Sequence, residues 1–180
     1  MKVEDIKQRV ETCTKCDLCK TRTNAVPGKG DSNARIIFIG EAPGRKEDEK
    51  GEPFVGAAGK KLENALAKSG ISRQSVYITN VVKCRPPDNR VPTESERESC
   101  RQFLFEEIDA INPDIICVLG NTASNSVLGQ GEITKNRGKI IEKNGKKYFL
   151  TFHPAAVIYN QELAKTFESD ISTLAKIIQK

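Results

Sequence analysis

The chain has 180 residues, of which 37% are hydrophobic and 29% are charged, and its formal net charge is +5. This length and balance suit one compact globular domain, here residues 1–180, and exclude a largely disordered chain. No apolar run approaches the roughly 20 residues that cross a bilayer, and the charged N-terminus is unlike a signal peptide. We therefore expect a cytoplasmic protein with no membrane partner.

Amphipathic spacing predicts helices at several places in the chain. Apolar residues recur at helical intervals over residues 3–10, over residues 59–69 and towards the C-terminus, over residues 163–178. Thr93 and Glu96 have the spacing of a capping box, which predicts that a further helix begins there.

Apolar runs over residues 35–39, 76–82 and 114–119 predict buried strands, and Asn144-Gly145 predicts a two-residue hairpin turn near the end of the sheet. The order of strands and helices predicts an α/β fold. We expect a three-layer αβα sandwich with a central, mostly parallel four-stranded sheet. Residues 40–59 are predicted to form a long ordered loop where such folds place ligands.

Six cysteines, at positions 13, 16, 19, 84, 100 and 117, predict a metal site. A reducing compartment argues against disulfides, and the C-x2-C pair of Cys13 and Cys16 can present two thiolates to one metal centre. Cys84 and Cys100 could complete the site, or they could be small buried residues. Zinc and a [4Fe-4S] cluster both accept four cysteines, and the spacing does not separate them. The role of Cys19 also stays open.

Three polar residues lie at or near the ends of predicted strands. Glu41 follows the first strand, Asn80 lies near the end of the second, and His153 closes the last. Because parallel strands end at one edge of a sheet, these side chains can converge. A carboxylate can handle protons, an amide offers one acceptor and two donors, and an imidazole can stabilise an anionic leaving group. Each residue alone could equally serve a loop or a turn.

Three segments resemble the motifs of the family 4 uracil-DNA glycosylases, which are iron–sulfur proteins. They are GEAPGRKEDEKGEPFVGAAG at residues 40–59, TNVVKCRPP at residues 79–87 and HPAA at residues 153–156. The resemblance covers nearly the whole chain, from Cys13 to the last helix. It implies an enzyme of base excision repair that flips uracil out of double- or single-stranded DNA and hydrolyses its N-glycosidic bond.

The resemblance also implies the catalytic residues and the cofactor. Glu41 would orient or activate water, and His153 would stabilise charge on a uracil oxygen. A [4Fe-4S] cluster would be held by Cys13, Cys16, Cys84 and Cys100. This assignment leaves Cys19 and Cys117 free, and a third cysteine in the N-terminal segment is unusual.

Uracil recognition is implied for the same segments. Glu41 and the backbone of Ala42 would line the pocket, Phe54 would stack on the base, and Asn80 would read its edge, while Glu47 would crowd the position of the thymine methyl group. The candidates for DNA contact are Lys83, Arg85, Arg90 and Arg97. One departure is the Tyr159-Asn160-Gln161 segment, where many relatives have Arg-Asn-Pro in a loop expected to probe the duplex.

Two other classes of protein remain to be weighed. One is a non-catalytic iron–sulfur DNA-binding module associated with a polymerase, and the other is an electron-transfer or redox-sensing protein. The set of Glu41, Asn80 and His153 argues against the first, since a binding module needs no such set. The chain has one cysteine site and no motif for another cofactor, which argues against an electron-transfer or redox-sensing protein. We expect a monomer, and no clamp-binding peptide is identifiable.

Overall fold

The computed structural model describes residues 1–179, which form a six-stranded sheet with helices on both faces. The strands are β1 (Lys29–Gly30), β2 (Ile36–Gly40), β3 (Tyr77–Asn80), β4 (Ile115–Leu119), β5 (Ile140–Lys143) and β6 (Lys146–Thr151). The α-helices are α1 (Val3–Glu11), α2 (Leu18–Thr21), α3 (Arg45–Lys50), α4 (Ala57–Lys68), α5 (Glu94–Ile111), α6 (Asn121–Leu128), α7 (Ile133–Asn136) and α8 (Gln161–Ile178). Short 3-10 turns cover Arg73–Ser75, Pro87–Asn89 and Pro154–Val157.

The sheet has the order β1-β3-β2-β4-β6-β5. Its inner strands β3, β2, β4 and β6 are parallel, whereas β1 and β5 pair antiparallel at the two edges. The predicted αβα class with a mostly parallel sheet is confirmed, but the prediction of four strands is too low. The two edge strands exceed that count: β5 is the first arm of the predicted hairpin, whereas β1 was missed because it has only two residues, too few for an apolar pattern to be read.

The inner strands are buried on both faces, so consecutive residues enter opposite cores. Ile37 and Ile39 pack with residues of α5 and α6, whereas Ile36 and Phe38 pack with residues of α4 and α8. This two-sided burial explains why the strands read as continuous apolar runs. Helix α1 lies outside these layers and joins α5 in a separate small core.

The predicted element boundaries depend on turn and cap residues. Asn144 and Gly145 both have positive φ, at 52° and 75°, and join β5 to β6 as predicted. Thr93 caps α5, since its Oγ1 accepts from the N–H of Glu96 at 3.2 Å. Residues 40–59 are not loop throughout, because Gly44 and Glu47 start the short helix α3.

Among the described residues, no helix has both the length and the apolar composition needed to cross a membrane.

Candidate active site

The loops that follow β2, β3 and β6 enclose a cavity of about 710 Å³. This volume is in the range of small-molecule sites. The structure brings together all of the pocket residues predicted from the sequence: Glu41, Ala42, Glu47, Phe54, Asn80 and His153.

Gly40, the last residue of β2, makes room for two of these side chains. A Cβ at this position would lie 2.5 Å from Oδ1 of Asn80 and 2.5 Å from Cζ of Phe54. Gly40 also faces Asn80 across the parallel pairing of β2 and β3. It was not among the predicted site residues, although a glycine that ends a buried strand is a signal of close approach.

The backbone around Glu41 is held by sheet hydrogen bonds beyond the ends of the strands. The N–H of Val81 donates to the carbonyl of Gly40 at 2.9 Å, and the N–H of Val82 donates to the carbonyl of Glu41 at 3.2 Å. The carboxylate of Glu41 therefore projects from a fixed point of the cavity wall.

Phe54 forms part of the cavity wall with a left-handed backbone, at φ 53°. This conformation costs a non-glycine residue about 1 kcal/mol or more, so its surroundings must hold it. Gly59 of α4 packs directly against the Phe54 backbone, where a Cβ would collide with the carbonyl oxygen. Nη2 of Arg73 donates to the carbonyl of Pro53 at 2.8 Å. The segment is thus held on two sides.

The carboxylate of Glu47 connects two helix N-termini. Its Oε2 accepts from the N–H of Gly44 at 3.1 Å, before α3. Its Oε1 accepts from the N–H of Val55 at 3.1 Å and of Gly56 at 2.8 Å, before α4. The partial positive charge of helix N-termini suits a carboxylate. Glu47 therefore shapes the glycine-rich segment as well as lining the cavity.

Asn80 carries a polar atom that the folded chain does not satisfy. The residue is 2% exposed, and within residues 1–179 its Oδ1 is buried with no hydrogen-bond partner. Buried polar atoms are nearly always paired, and an unpaired one costs about 1–3 kcal/mol. Because Asn80 lines the cavity, a ligand with an N–H or O–H group would satisfy this oxygen.

His153 is a neutral donor in the same cavity. Burial lowers its pKa to about 4, against the opposing effect of the negative charge on Glu47. Nδ1 of His153 accepts from the N–H of Ala155 at 3.1 Å, which caps the turn Pro154–Val157. The proton of the neutral ring is therefore on Nε2, which remains free to donate to a ligand. The ring centroid lies 5.7 Å from that of Phe54.

A second, smaller cavity is lined by thiols. It lies where α1, α2, the loop after β3 and α5 meet, and its cysteines are Cys13, Cys16, Cys19, Cys84 and Cys100. The structure thus gathers the four predicted ligands together with Cys19. Cys117 is buried within β4, as the apolar strand predicted.

The surroundings of these thiols fit a soft-metal group. Burial raises the pKa of the Cys84 thiol, and it raises the pKa of the Cys100 thiol to about 11, so a bound cationic centre would be needed to hold both as thiolates. Nη1 of Arg22 donates to Sγ of Cys84 at 3.1 Å, and the N–H of Lys15 donates to Sγ of Cys13 at 3.5 Å. Thiolates with N–H donors to sulfur are the setting of iron–sulfur clusters. Within the described residues, no group of three or more His, Cys, Asp or Glu side chains has the arrangement that would hold a single metal ion.

The predicted DNA-contact residues divide into two groups. The prediction is wrong for Lys83, which is 2% exposed and whose Nζ lies 2.6 Å from Oε2 of Glu107 inside the protein. A buried, paired ammonium cannot reach a phosphate. Arg90 is exposed and borders the larger cavity, although Nη1 and Nη2 donate to the carboxylate of Glu96, whereas Arg85 and Arg97 are half-buried.

The departure at residues 159–161 places an aromatic ring near the rim of the cavity. Tyr159 is 98% exposed and follows Ala155 and Ala156, which line the cavity. Oδ1 of Asn160 accepts from the N–H of Leu163 at 3.1 Å and so caps α8. Asn160 is thus engaged at the start of α8, whereas the side chains of Tyr159 and Gln161 are exposed.

Comparison with known proteins places these features in a family. The family model of the uracil DNA glycosylase superfamily matches residues 27–175. A type-4 uracil-DNA glycosylase of Archaeoglobus fulgidus is 46% identical over 187 residues, covering 99% of this chain and 94% of the relative. One of Thermotoga maritima is 46% identical over 183 residues, covering 99% and 95%. A DNA polymerase of Bacillus phage SP01 is 37% identical over 153 residues, covering 84% of this chain but 17% of the polymerase.

The matched regions include the segments that build the cavity, and the two type-4 relatives span nearly the whole chain. The resemblance predicted from the three sequence motifs is confirmed. The chain belongs to the uracil DNA glycosylase superfamily and, within it, to the type-4 uracil-DNA glycosylases.

Proposed function

We propose that this protein is a monofunctional uracil-DNA glycosylase that flips uracil out of DNA and hydrolyses its N-glycosidic bond, which leaves an abasic site. The observation that carries the proposal is the buried Oδ1 of Asn80, which has no hydrogen-bond partner within residues 1–179 and lines a cavity of about 710 Å³. The N3–H group of uracil can donate to this oxygen, and O4 of uracil can accept from the amide nitrogen of Asn80.

The cavity suits a base that has left the duplex. A stacked base cannot reach the cavity, so the nucleotide must rotate out at a cost of a few kcal/mol, least where the base is mispaired or single-stranded. Phe54 offers the flipped base an aromatic surface in the cavity wall. Base–aromatic stacking contributes about 1–3 kcal/mol, which offsets much of that cost.

The same walls explain why other pyrimidines would be rejected. Cytosine has an acceptor at N3, which would face Oδ1 of Asn80 and leave two acceptors opposed. Thymine carries a methyl group that Glu47 would crowd. Three backbone N–H groups fix the Glu47 carboxylate, so it cannot swing aside. The backbone of Ala42 completes this side of the cavity.

Bond cleavage uses charge stabilisation and water. The bond between C1′ and N1 breaks with both electrons moving to uracil, and Nε2–H of His153 donates to the uracil oxygen where negative charge develops. Glu41 orients or activates a water molecule, whose oxygen bonds to C1′. The water proton passes to the Glu41 carboxylate and then to solvent.

Gly40→Ala is expected to lower the single-turnover excision rate by about 10- to 100-fold, because the new methyl group would displace both Asn80 and Phe54. The melting temperature should stay close to that of the wild type, so that the loss of rate cannot be attributed to unfolding. The matched control is Gly131→Ala, the same substitution at a position away from the cavity lining, where the added Cβ would approach the side-chain end of the exposed Asn125. A Gly40→Ala enzyme with the wild-type rate would show that the two side chains need no such clearance.

We further propose that the cysteine cavity holds a [4Fe-4S] cluster on Cys13, Cys16, Cys84 and Cys100. The donor set is made of thiols alone, and N–H groups already point at two of the sulfurs. When bound, the cluster would supply covalent cross-links that tie the N-terminal segment to α5 and to the loop after β3. Cys19 lines the same cavity and is the rival ligand.

Cys84→Ala is expected to abolish the visible absorption of the purified protein and to lower its melting temperature by several degrees, since the cross-links would be lost. Cys117→Ala is the matched control, because that cysteine is buried in β4 and should leave the absorption intact. Cys19→Ser tests the ligand set. Full iron content in Cys19→Ser supports the assignment, and loss of iron would make Cys19 a ligand.

We also propose that the chain acts as a monomeric single domain on DNA in a prokaryotic cytoplasm. Arg85, Arg90 and Arg97 are the basic side chains offered to the phosphates. We expect Tyr159, which is 98% exposed, to contact the duplex beside the flipped nucleotide.

The experiment that tests the function is excision from a labelled oligonucleotide with a single uracil, followed by cleavage of the abasic site. The partial match to a phage polymerase is the observation that favours a second candidate, a non-catalytic iron–sulfur DNA-binding module. DNA binding without release of free uracil would favour that module. Release of uracil at a catalytic rate, lost in Asn80→Ala, would support the glycosylase.

A further inference from the structure

The loop after β3 contains a buried ion pair that the proposed chemistry does not use. The side chains of Lys83 and Glu107 are 2% and 1% exposed, and Nζ lies 2.6 Å from Oε2. Burying two charges costs several kcal/mol per ion, and apolar replacements of such pairs are often neutral or stabilising. Stability alone is therefore a poor explanation of the pair, and its other contacts indicate what it holds.

The ammonium group of Lys83 donates to three acceptors, one of which belongs to Asn80. Nζ donates to Oγ1 of Thr79 at 2.5 Å, to the carbonyl of Asn80 at 2.9 Å and to Oε2 of Glu107 at 2.6 Å. Because an ammonium has three donors, its hydrogen-bonding capacity is filled. The peptide group that follows Asn80 is thereby tethered by a charge-assisted bond.

Glu107 fixes the other side of this arrangement. Its Oε2 also accepts from Oγ1 of Thr79 at 2.7 Å. Its Oε1 accepts from the N–H of Gly28 at 2.9 Å and from the hydroxyl of Tyr77 at 3.3 Å. Thr79 and Tyr77 belong to β3, whereas Glu107 belongs to α5. The pair therefore clamps the end of β3 against that helix.

Asn80 depends on this support. Its Oδ1 has no partner in the described chain, so the direction of the amide is set by the backbone that carries it. The N–H of Val81 donates to the carbonyl of Gly40 at 2.9 Å, and Lys83 holds the carbonyl of Asn80. A displacement of about 1 Å at a recognition group can cost about 10²-fold in rate.

We propose that Lys83 is a positioning residue whose ammonium, held in place by Glu107, orients Asn80 to read the flipped base. The inference rests on the proposed function, because Asn80 has this task only in a uracil-DNA glycosylase. Lys83 acts through Asn80. The ion pair between Lys83 and Glu107 orients the end of β3, which carries Asn80, and this role explains why the pair is buried there.

The test compares the full-length wild type with Lys83→Met/Glu107→Gln, which removes both charges and nearly keeps the size of both side chains. We expect affinity for a uracil-containing oligonucleotide to stay within about threefold, while the single-turnover excision rate falls by about 10- to 100-fold. Tyr77→Phe removes one hydrogen bond to Glu107 without touching Lys83, so it is the matched control. It should keep the wild-type rate.

Metal content is measured on the same samples, because Lys83 also lines the cysteine cavity beside Cys84 and Cys100. A folded double variant with the wild-type rate would overturn the proposal. A variant that loses metal together with its rate would also overturn it, since the pair would then serve the cysteine cavity.

If the first double variant does not fold, Lys83→Met/Glu107→Leu replaces it, and failure of both to fold would assign the pair to folding alone and equally overturn the proposal. Wild-type protein that releases no uracil would overturn the proposed function instead, so the two failures are distinct.

Discussion

Asn80→Asp is expected to lower the single-turnover rate of uracil excision by about 10³-fold at slightly alkaline pH. The carboxylate would put an acceptor where the amide donates to O4 of uracil. It would also place an uncompensated charge at a position that is 2% exposed, which costs about 3–5 kcal/mol. The measurement is release of uracil from a labelled oligonucleotide with enzyme in excess.

The pH dependence of the excision rate of Asn80→Asp shows whether residue 80 acts through hydrogen bonds to uracil or only through the shape of its side chain. A protonated carboxyl presents one donor and one acceptor, as the amide does, and burial favours that neutral form. The rate of Asn80→Asp should therefore recover in part as the pH falls towards about 5. Asn80→Ala presents neither group and should stay slow throughout. Equal, pH-independent losses in both variants would contradict a hydrogen-bonding role for Asn80.

Features with a local signal in the sequence could be predicted. Thr93 and Glu96 start α5, and Asn144 with Gly145 turns the hairpin, because caps and tight turns depend on neighbouring residues. The convergence of the pocket residues also followed from sequence, since parallel strands that end in polar residues bring them to one edge. The catalytic roles of those residues stay predictions until the variants are measured.

Features that depend on distant contacts could not be predicted. Lys83 lies in a basic segment and was expected to contact DNA. Instead, its ammonium group forms a buried ion pair with Glu107, which lies 24 positions later on α5. A glycine at the end of β2 signals a close approach at position 40, but only the fold shows that the approaching side chains are those of Phe54 and Asn80. The spacing of the cysteines likewise gave no means of separating Cys19 from the other four that line its cavity.

His153→Ala is expected to lower the single-turnover rate by about 10²- to 10³-fold, because it removes a donor that stabilises the charge on departing uracil. The imidazole also has a structural role, since its Nδ1 accepts from the N–H of Ala155 and caps the turn Pro154–Val157. His153→Ser separates the two roles, because a serine hydroxyl can keep the cap without reaching uracil. Similar losses in both variants support the donor role, whereas a near-normal rate in His153→Ser would assign His153 to the turn alone.

The pH profile of the wild type checks the protonation state of His153. Burial lowers the pKa of His153 to about 4, so the ring is neutral across the physiological range. The single-turnover rate should therefore stay level from about pH 5.5 to pH 8. A rate that falls as the pH rises through about 6.5 would indicate a catalytic imidazolium instead.

The lowered pKa of His153 also affects the stability of the fold. Between about pH 6.5 and pH 4 the unfolded chain binds a proton that the native ring does not, so the free energy of unfolding should decrease as the pH falls through that window. His153→Ser should lose this part of the pH dependence of stability, which urea titrations at a series of pH values would measure.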